Sequence, residues 1–480
     1  MTEVYGRCLI DGELVEGTRR GEIRNPADTD EVVGTYPLLE TADVDRAVEA
    51  ARRAQVSWAD VSAAERAKVV LESAEKVNAL KGLDETLIRE QGKVGWEASF
   101  ELGYYEALAD AYAGMAGGLD NGETVLSDAL GDTVCFRRPV GVVAAVTPWN
   151  YPLGLMAMKV VPALIAGCAV VVKPSPVTPL STLESLAALA DHFPRGIVSV
   201  VTGDDRQVSA PLLAHPLVRK ITLTGSTPTG RIAVAASAAS LKNVTLELGG
   251  NDAALILDDA VIDDDLCGSL VTGAFTTSGQ VCVAIKRVYA PRHRVAELAE
   301  GLAAALAGTV VGNGLDPEST MGPLTTERQR KIVTALVSGA ESAGATVRFC
   351  GELGAATERG YFLRPAIVTG TPEDHPLVQD EQFGPALPVQ PYDDEDHAIA
   401  MINASEYGLT SSVWSADVAR ATKVAKRVEA GTVHVNSHGL FSMDPRVCFG
   451  GVKQSGLGRE MGLEGLHAFT EPRIVNTRTV

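Results

Sequence analysis

Apolar and polar positions change rhythm several times along the chain. From Asp43 to Ala79, apolar residues recur at helical spacing (Val44, Ala47, Val48, Ala51) in an Ala-rich, charged stretch, which predicts amphipathic helix. Leu83 to Met115 continues as helix, with Gly92 and Gly95 marking a break. At Asn121-Gly122 the texture switches. Thr124-Val125-Leu126 and Val134-Cys135-Phe136 alternate as a short hairpin or edge strand would, and Arg473-Ile474-Val475-Asn476 reads similarly. From Val140 the pattern becomes strand, turn, helix, repeated: Gly141–Val146, Ala169–Val172, Ile197–Val201 and Lys220–Thr224 are nearly continuous apolar runs. Such runs joined by helices predict a parallel sheet covered on both faces, hence an α/β fold. A second alternating series begins at Ala253–Leu257 and runs past Val433-His434-Val435-Asn436, with Gly249-Gly250 as the natural hinge between the halves.

Composition narrows the class. At 480 residues, two or three domains are expected. The 46% apolar and 21% charged residues suit a globular enzyme rather than a disordered chain. A net charge of −19 argues against nucleic acid or an anionic membrane as partner, since neither would be attracted. Met1-Thr2-Glu3-Val4 lacks the basic head and apolar stretch of a signal peptide, and Val160–Val172 is too short to span a membrane. Seven cysteines form no C-x-x-C pair and no metal-ligand cluster with the eight histidines. That scattered set fits a reducing cytoplasm and no bound metal.

Two runs carry the chemistry: Thr245-Leu246-Glu247-Leu248-Gly249-Gly250 and Ser278-Gly279-Gln280-Val281-Cys282. A thiol nucleophile with a separate carboxylate base is equipment for attacking a carbonyl and hydrolysing the resulting thioester. Most cysteines are small buried hydrophobes, the expectation for Cys168 and Cys267; Gly279-Gln280 in front of Cys282 sets it apart. An acid between two leucines and before two glycines predicts a partly buried Glu247 with a raised pKa. Asn150, pinned between Pro148 and Pro152, reads either as a turn residue or as an oxyanion donor. Lys173 ends an apolar strand, either as a snorkelling lysine or as a ribose contact. Gly225-Ser226-Thr227-Pro228-Thr229-Gly230 opens a helix whose N-terminus could take a pyrophosphate, with Thr227 as cap; alone it reads rather as a plain strand-to-helix turn.

In order and at these intervals, these runs resemble the aldehyde dehydrogenase superfamily, from Asn25-Pro26-Ala27 to Glu471, as do Glu381-Gln382-Phe383-Gly384-Pro385 and Phe449-Gly450-Gly451. The resemblance implies a Rossmann-like dinucleotide-binding domain (1–120 and 140–250), an α/β catalytic domain (251–445) and small β oligomerisation strands (121–139 and 470–480). A returning segment, 446–469, would close the active site. It implies Cys282 as nucleophile, Glu247 as the base that activates water, and Asn150 as oxyanion donor. Lys159 and Glu460 would stand behind the base as a proton relay. Trp149, Lys173, Ser175, Gly225, Ser226, Leu248, Glu381 and Phe383 would hold the cofactor, and Tyr151, Met158, Val281, Val283, Phe441 and Phe449 would line the substrate tunnel. A homodimer or homotetramer is implied.

Two departures bear on specificity. Pro176 stands where many NAD-preferring members carry a glutamate, which implies NAD with tolerance for NADP. Cys448 replaces the usual proline before Phe449, in a slightly long loop at the substrate mouth. The apolar tunnel positions, with no arginine beside Cys282, favour a medium aliphatic or aromatic aldehyde over succinate semialdehyde; Arg446 is the residue that could reverse this. The presence of Glu247 disfavours an acyl-CoA-forming enzyme. A cysteine esterase or thioesterase, or a silent scaffold of the same fold, are the competing readings.

Overall fold

In a computed structural model, residues 3–478 are described. Met1 and Thr2, and Thr479 and Val480 of the expected 470–480 strand, lie outside the described residues.

The long helix expected over 43–79 is two helices, Thr41–Ala59 and Ala63–Asn78. The break falls at Asp60–Ser62 because Ser62 and Glu65 form a reciprocal capping box. Such a cap is worth about 1 kcal/mol and starts a new helix where apolar spacing alone reads straight through. Leu83–Gln91 and Gly95–Met115 are separate helices, with Gly92 in the left-handed region at φ 97°.

The expected apolar strands form the centre of an eight-stranded sheet. Its order is Gly456–Leu457, Asn243–Glu247, Val218–Thr224, Val142–Val146, Ala169–Lys173, Val198–Val200, Cys8–Ile10, Glu13–Val15. The five strands from Asn243–Glu247 to Val198–Val200 are mutually parallel. Gly456–Leu457 and Cys8–Ile10 close the two sides antiparallel. Chain order runs outward in both directions from Val142–Val146, so the topology switches between that strand and Val218–Thr224. Ligands of open α/β sheets gather at the carboxyl ends beside such a switch.

After Gly249-Gly250 the chain enters a second sheet of seven strands, all parallel except Thr346–Phe349. The hairpin Glu123–Asp128 and Gly131–Pro139 pairs with Thr470–Arg478 in a third, antiparallel sheet. The largest apolar core lies around the first sheet. The mixed α/β class with parallel sheets is as the sequence led us to expect.

Candidate active site

Cys282 sits on an unusual turn. Thr277, Ser278 and Gly279 have φ of 51°, 56° and 73°, three left-handed residues in succession. Such backbone is costly for residues with a Cβ and persists only where surroundings over-determine it. Here Glu97 accepts the Thr277 N–H, Ser278 Oγ donates to Gly322 O at 2.7 Å, and Gln280 Oε1 accepts from Thr325 N at 2.9 Å. A Cβ on Gly279 would stand 2.5 Å from Gly384 O, so this position has to be glycine. The thiol is half-buried, and burial pushes its pKa up to about 12. Among the described residues, the Cys282 N–H has no hydrogen-bond acceptor.

A cavity of about 490 Å³, counted to its open mouth, lies over the sulfur. Asn150, Tyr151, Met158, Val281, Val283 and Phe449 all line it beside Cys282. Asn150 donates one amide hydrogen to Gln280 O at 2.8 Å, and its own carbonyl accepts Lys93 Nζ at 3.1 Å. Phe441 does not reach the cavity: it is 46% exposed at the rim, packed on Phe100 and Trp96. Arg446 is likewise outside, paired with Asp444 at 2.9 Å on the surface. The charged residue in the lining is Glu101, whose oxygens are taken by Leu153 N, Gly154 N and Lys93.

Glu247 ends its strand, next to Thr224 on one side and Gly456 on the other. It is fully buried, and neither carboxylate oxygen has a hydrogen-bond partner among the described residues. Burial first, and then the Glu460 carboxylate, hold its pKa well above the usual carboxylate range; Lys159 pulls the other way. Gly450, at φ 152°, lets the returning segment pass this acid, since a Cβ there would stand 2.7 Å from Glu247 Oε1. Lys159 donates to Glu460 at 2.6 Å and Thr222 Oγ1 donates to it at 2.9 Å, while Glu460 Oε2 is unpartnered.

The residues read as cofactor contacts gather at the carboxyl ends of the parallel strands. Lys173 is almost fully buried, and among the described residues its ammonium makes no hydrogen bond or ion pair; burial lowers its pKa. Ser175, two residues on, is also buried and accepts the Val177 N–H. The cap of helix Thr227–Ala238 is Ser226, not Thr227: Ser226 Oγ accepts the Thr229 N–H, and Thr227 is the first helical residue. Gly225 donates its N–H to Glu247 O at 3.0 Å, and Leu248 packs where a Cβ on Gly230 would collide. Glu381 accepts the Gly250 N–H at 3.1 Å, and Trp149 and Phe383 meet edge-on at 5.3 Å. Pro176, beside them, is exposed.

A profile described as "Aldehyde dehydrogenase family" matches residues 14–475. The chain belongs to this family. It is 36% identical to a geranial dehydrogenase of Castellaniella defragrans over 476 residues, 98% of either chain. A crystal structure of betaine aldehyde dehydrogenase from Staphylococcus aureus in complex with NAD+ superposes with a TM-score of 0.93 at 31% identity, covering 99% of this chain and 95% of that one. An E. coli structure described as an NADP-dependent enzyme gives 0.93 at 33%, covering 99% and 98%. The protein is thus an oxidoreductase of the aldehyde dehydrogenase kind.

Several residues of this aldehyde dehydrogenase site escaped the sequence reading. Phe100, Tyr104 and Glu101 project from helix Gly95–Met115 into the cavity wall, and Leu440 and Met443 close it from the loop before Phe449. Their i, i+4 spacing on one helix face was a usable signal for the first two. Lys93 carried a weaker one, a lone charge just after the glycine that breaks two helices.

Proposed function

We propose that this enzyme oxidises a medium aliphatic or aromatic aldehyde to its carboxylic acid, using NAD and tolerating NADP. The observation that carries the reading is the meeting, in one apolar cavity, of a half-buried thiol, an acceptor-free backbone N–H and the Asn150 amide. NAD, when bound, supplies the hydride acceptor. The isolated ammonium of Lys173, the Glu381 carboxylate at the Gly250 N–H and the capped helix at Ser226 suit a dinucleotide's hydroxyls and phosphates.

The chain's own residues then have distinct tasks. Cys282 loses its proton and its sulfur bonds to the aldehyde carbon. The Cys282 N–H and the Asn150 amide hold the oxygen that becomes negative, donors fixed in place before charge develops. Hydride departure leaves a thioester on Cys282. Glu247 takes a proton from water, the hydroxide adds to the thioester carbon, and the C–S bond breaks to give acid and Cys282. Glu460 and Lys159 carry the proton away from Glu247.

Substrate chemistry follows from the lining. Apart from the occupied Glu101, the Asn150 amide and the Cys282 thiol, the cavity wall is apolar or aromatic, and none of its described residues is lysine or arginine. A second carboxylate on the substrate would find no partner there, which disfavours succinate semialdehyde. An aldehyde panel with both nucleotides, read by absorbance of the reduced nicotinamide, tests this. Turnover best with a dicarboxylic semialdehyde, or ester hydrolysis without nucleotide as the main activity, would refute it.

The division into a cofactor domain (1–120 and 140–250), a catalytic domain (251–445) and a returning segment (446–469) belongs to the same proposal. Val125, Leu126, Ile474 and Val475 are exposed apolar residues on the third sheet, whose outer strands have free edges. Free edges with apolar side chains favour pairing with a second copy, as homodimer or homotetramer. Light scattering after gel filtration checks this; a monomer at micromolar concentration would contradict it.

A further inference from the structure

Lys286 is a buried cation that the mechanism above leaves unused. It is 1% exposed, on the first turns of strand Ile285–Pro291, four residues after the nucleophile. Its ammonium is clamped by backbone carbonyls of the nucleophile's own turn: Val281 O at 2.5 Å, Ala284 O at 3.1 Å and Cys282 O at 3.5 Å. Its backbone is fixed in turn by Gln382, whose side chain donates to Lys286 O at 2.8 Å, and its ammonium lies 5.7 Å from the Phe383 ring. No carboxylate stands within ion-pair distance of it among the described residues.

That arrangement has an electrostatic consequence. Carbonyls satisfy the ammonium's three donors but carry no net charge, so the positive field is not cancelled at its source. A buried cation with no carboxylate in contact is costly, and such a cost is borne where the charge serves a neighbour.

We propose that Lys286 is a positioning residue for Cys282, holding the nucleophile's turn and placing under it the positive charge that favours the thiolate. The proposal rests on Cys282 being the nucleophile. The groups that face the sulfur divide by sign. Glu381, Asp252 and Glu247 oppose the thiolate, and Lys286 favours it. Tyr151, whose hydroxyl bonds Thr277 Oγ1 at 2.6 Å, stays neutral because burial holds its proton. His438, near Asp252, is kept neutral by burial, at about 3. Asp252 is itself raised by burial to about 7 and is ionised where a thiol titrates. Of the three acids, Asp252 and Glu381 also draw on Lys286, so one cation is shared among two carboxylates and the sulfur, and removing a competing carboxylate is equivalent to strengthening it.

The test is the rate at which iodoacetamide alkylates Cys282 in the full-length enzyme between pH 7 and 9, followed by mass spectrometry of the Cys282 peptide. Lys286→Met and Lys286→Gln should raise the thiol's pKa by about one unit or more. A less acidic thiolate is also a better nucleophile, which offsets part of the tenfold loss of thiolate per unit, leaving alkylation about three- to fourfold slower at fixed pH. Lys286→Arg should keep most of the rate. Asp252→Asn should move it the other way, faster by a similar factor. The Asp252 variant decides the matter if the Lys286 variants do not fold: an unchanged rate there means the charge beneath the turn does not reach the sulfur, and the proposal falls. Rates independent of charge at 286 overturn it equally. Failure of wild-type Cys282 to react at all, while other cysteines do, would instead remove the nucleophile assignment itself.

Discussion

Two buried lysine–glutamate pairs lie within the same site and are built on opposite principles. Lys93 and Glu101 are wholly enclosed, and every oxygen of Glu101 is used: one by Lys93, the other by the N–H groups that open helix Pro152–Ile165. Lys159 and Glu460 are as deeply enclosed, yet Glu460 Oε2 has no partner and Glu247, next to it, has none on either oxygen. A saturated pair is scaffold, since nothing is gained by moving its proton or its charge. An unsaturated one beside a second acid is a place where a proton can arrive and leave. The first pair fixes Asn150 through its carbonyl; the second bears on the proton affinity of Glu247.

The sharpest probe of the unsaturated side is Glu247→Gln. Steady-state turnover should fall by about 10²- to 10⁴-fold while a first-turnover burst of reduced nicotinamide persists in stopped flow. Loss of the burst as well would place Glu247 before hydride transfer. On the saturated side, Lys93→Met strands a buried carboxylate and should cost about 3–5 kcal/mol in denaturant unfolding. A cost below about 1 kcal/mol, within the range of exposed pairs, would erase the contrast.

Next in size is Glu460→Gln. Because the Glu460 carboxylate raises the pKa of Glu247, neutralising it lowers that pKa. The base is then ionised at lower pH, so the acid limb of the kcat–pH profile should move down by about one unit. An unmoved limb would disconnect the pair from the base. The smallest effect expected is at the edge of the cofactor site. In the proposed cofactor site, Pro176→Glu adds a negative charge beside the 2′-position of the ribose, and should favour NAD over NADP by about tenfold, or 1.4 kcal/mol, in kcat/KM ratios.

How much of this could be read from the chain follows the same contrast. Glu247 and Cys282 stand out in the chain because each lies near glycines in a run of small or apolar residues, a local signature; the burial expected for Glu247 is found, and Cys282 lies on the cavity wall. The parallel strands were legible from continuous apolar runs. The break at Asp60–Ser62 was hidden because helical spacing is indifferent to a cap; only the Ser62–Glu65 pair signals it. The Lys93 contact to Asn150 spans 57 positions, and no local pattern encodes a partner that far away. Phe441 was placed in the tunnel by position, whereas the turn Leu440–Ser442 holds it at the rim against Trp96 and Phe100.

Phe449 and Glu460 exchange two backbone hydrogen bonds, at 2.7 and 2.8 Å, across the returning segment. In the proposed mechanism one of these residues shapes the room for the aldehyde and the other takes the proton drawn from the base. They are rungs of a single ladder, so a change that enlarges the room tugs on the acid. Variants selected at Phe449 for a bulkier aldehyde should therefore drift in their pH optimum too, and a screen run at one fixed pH would discard some of the best of them.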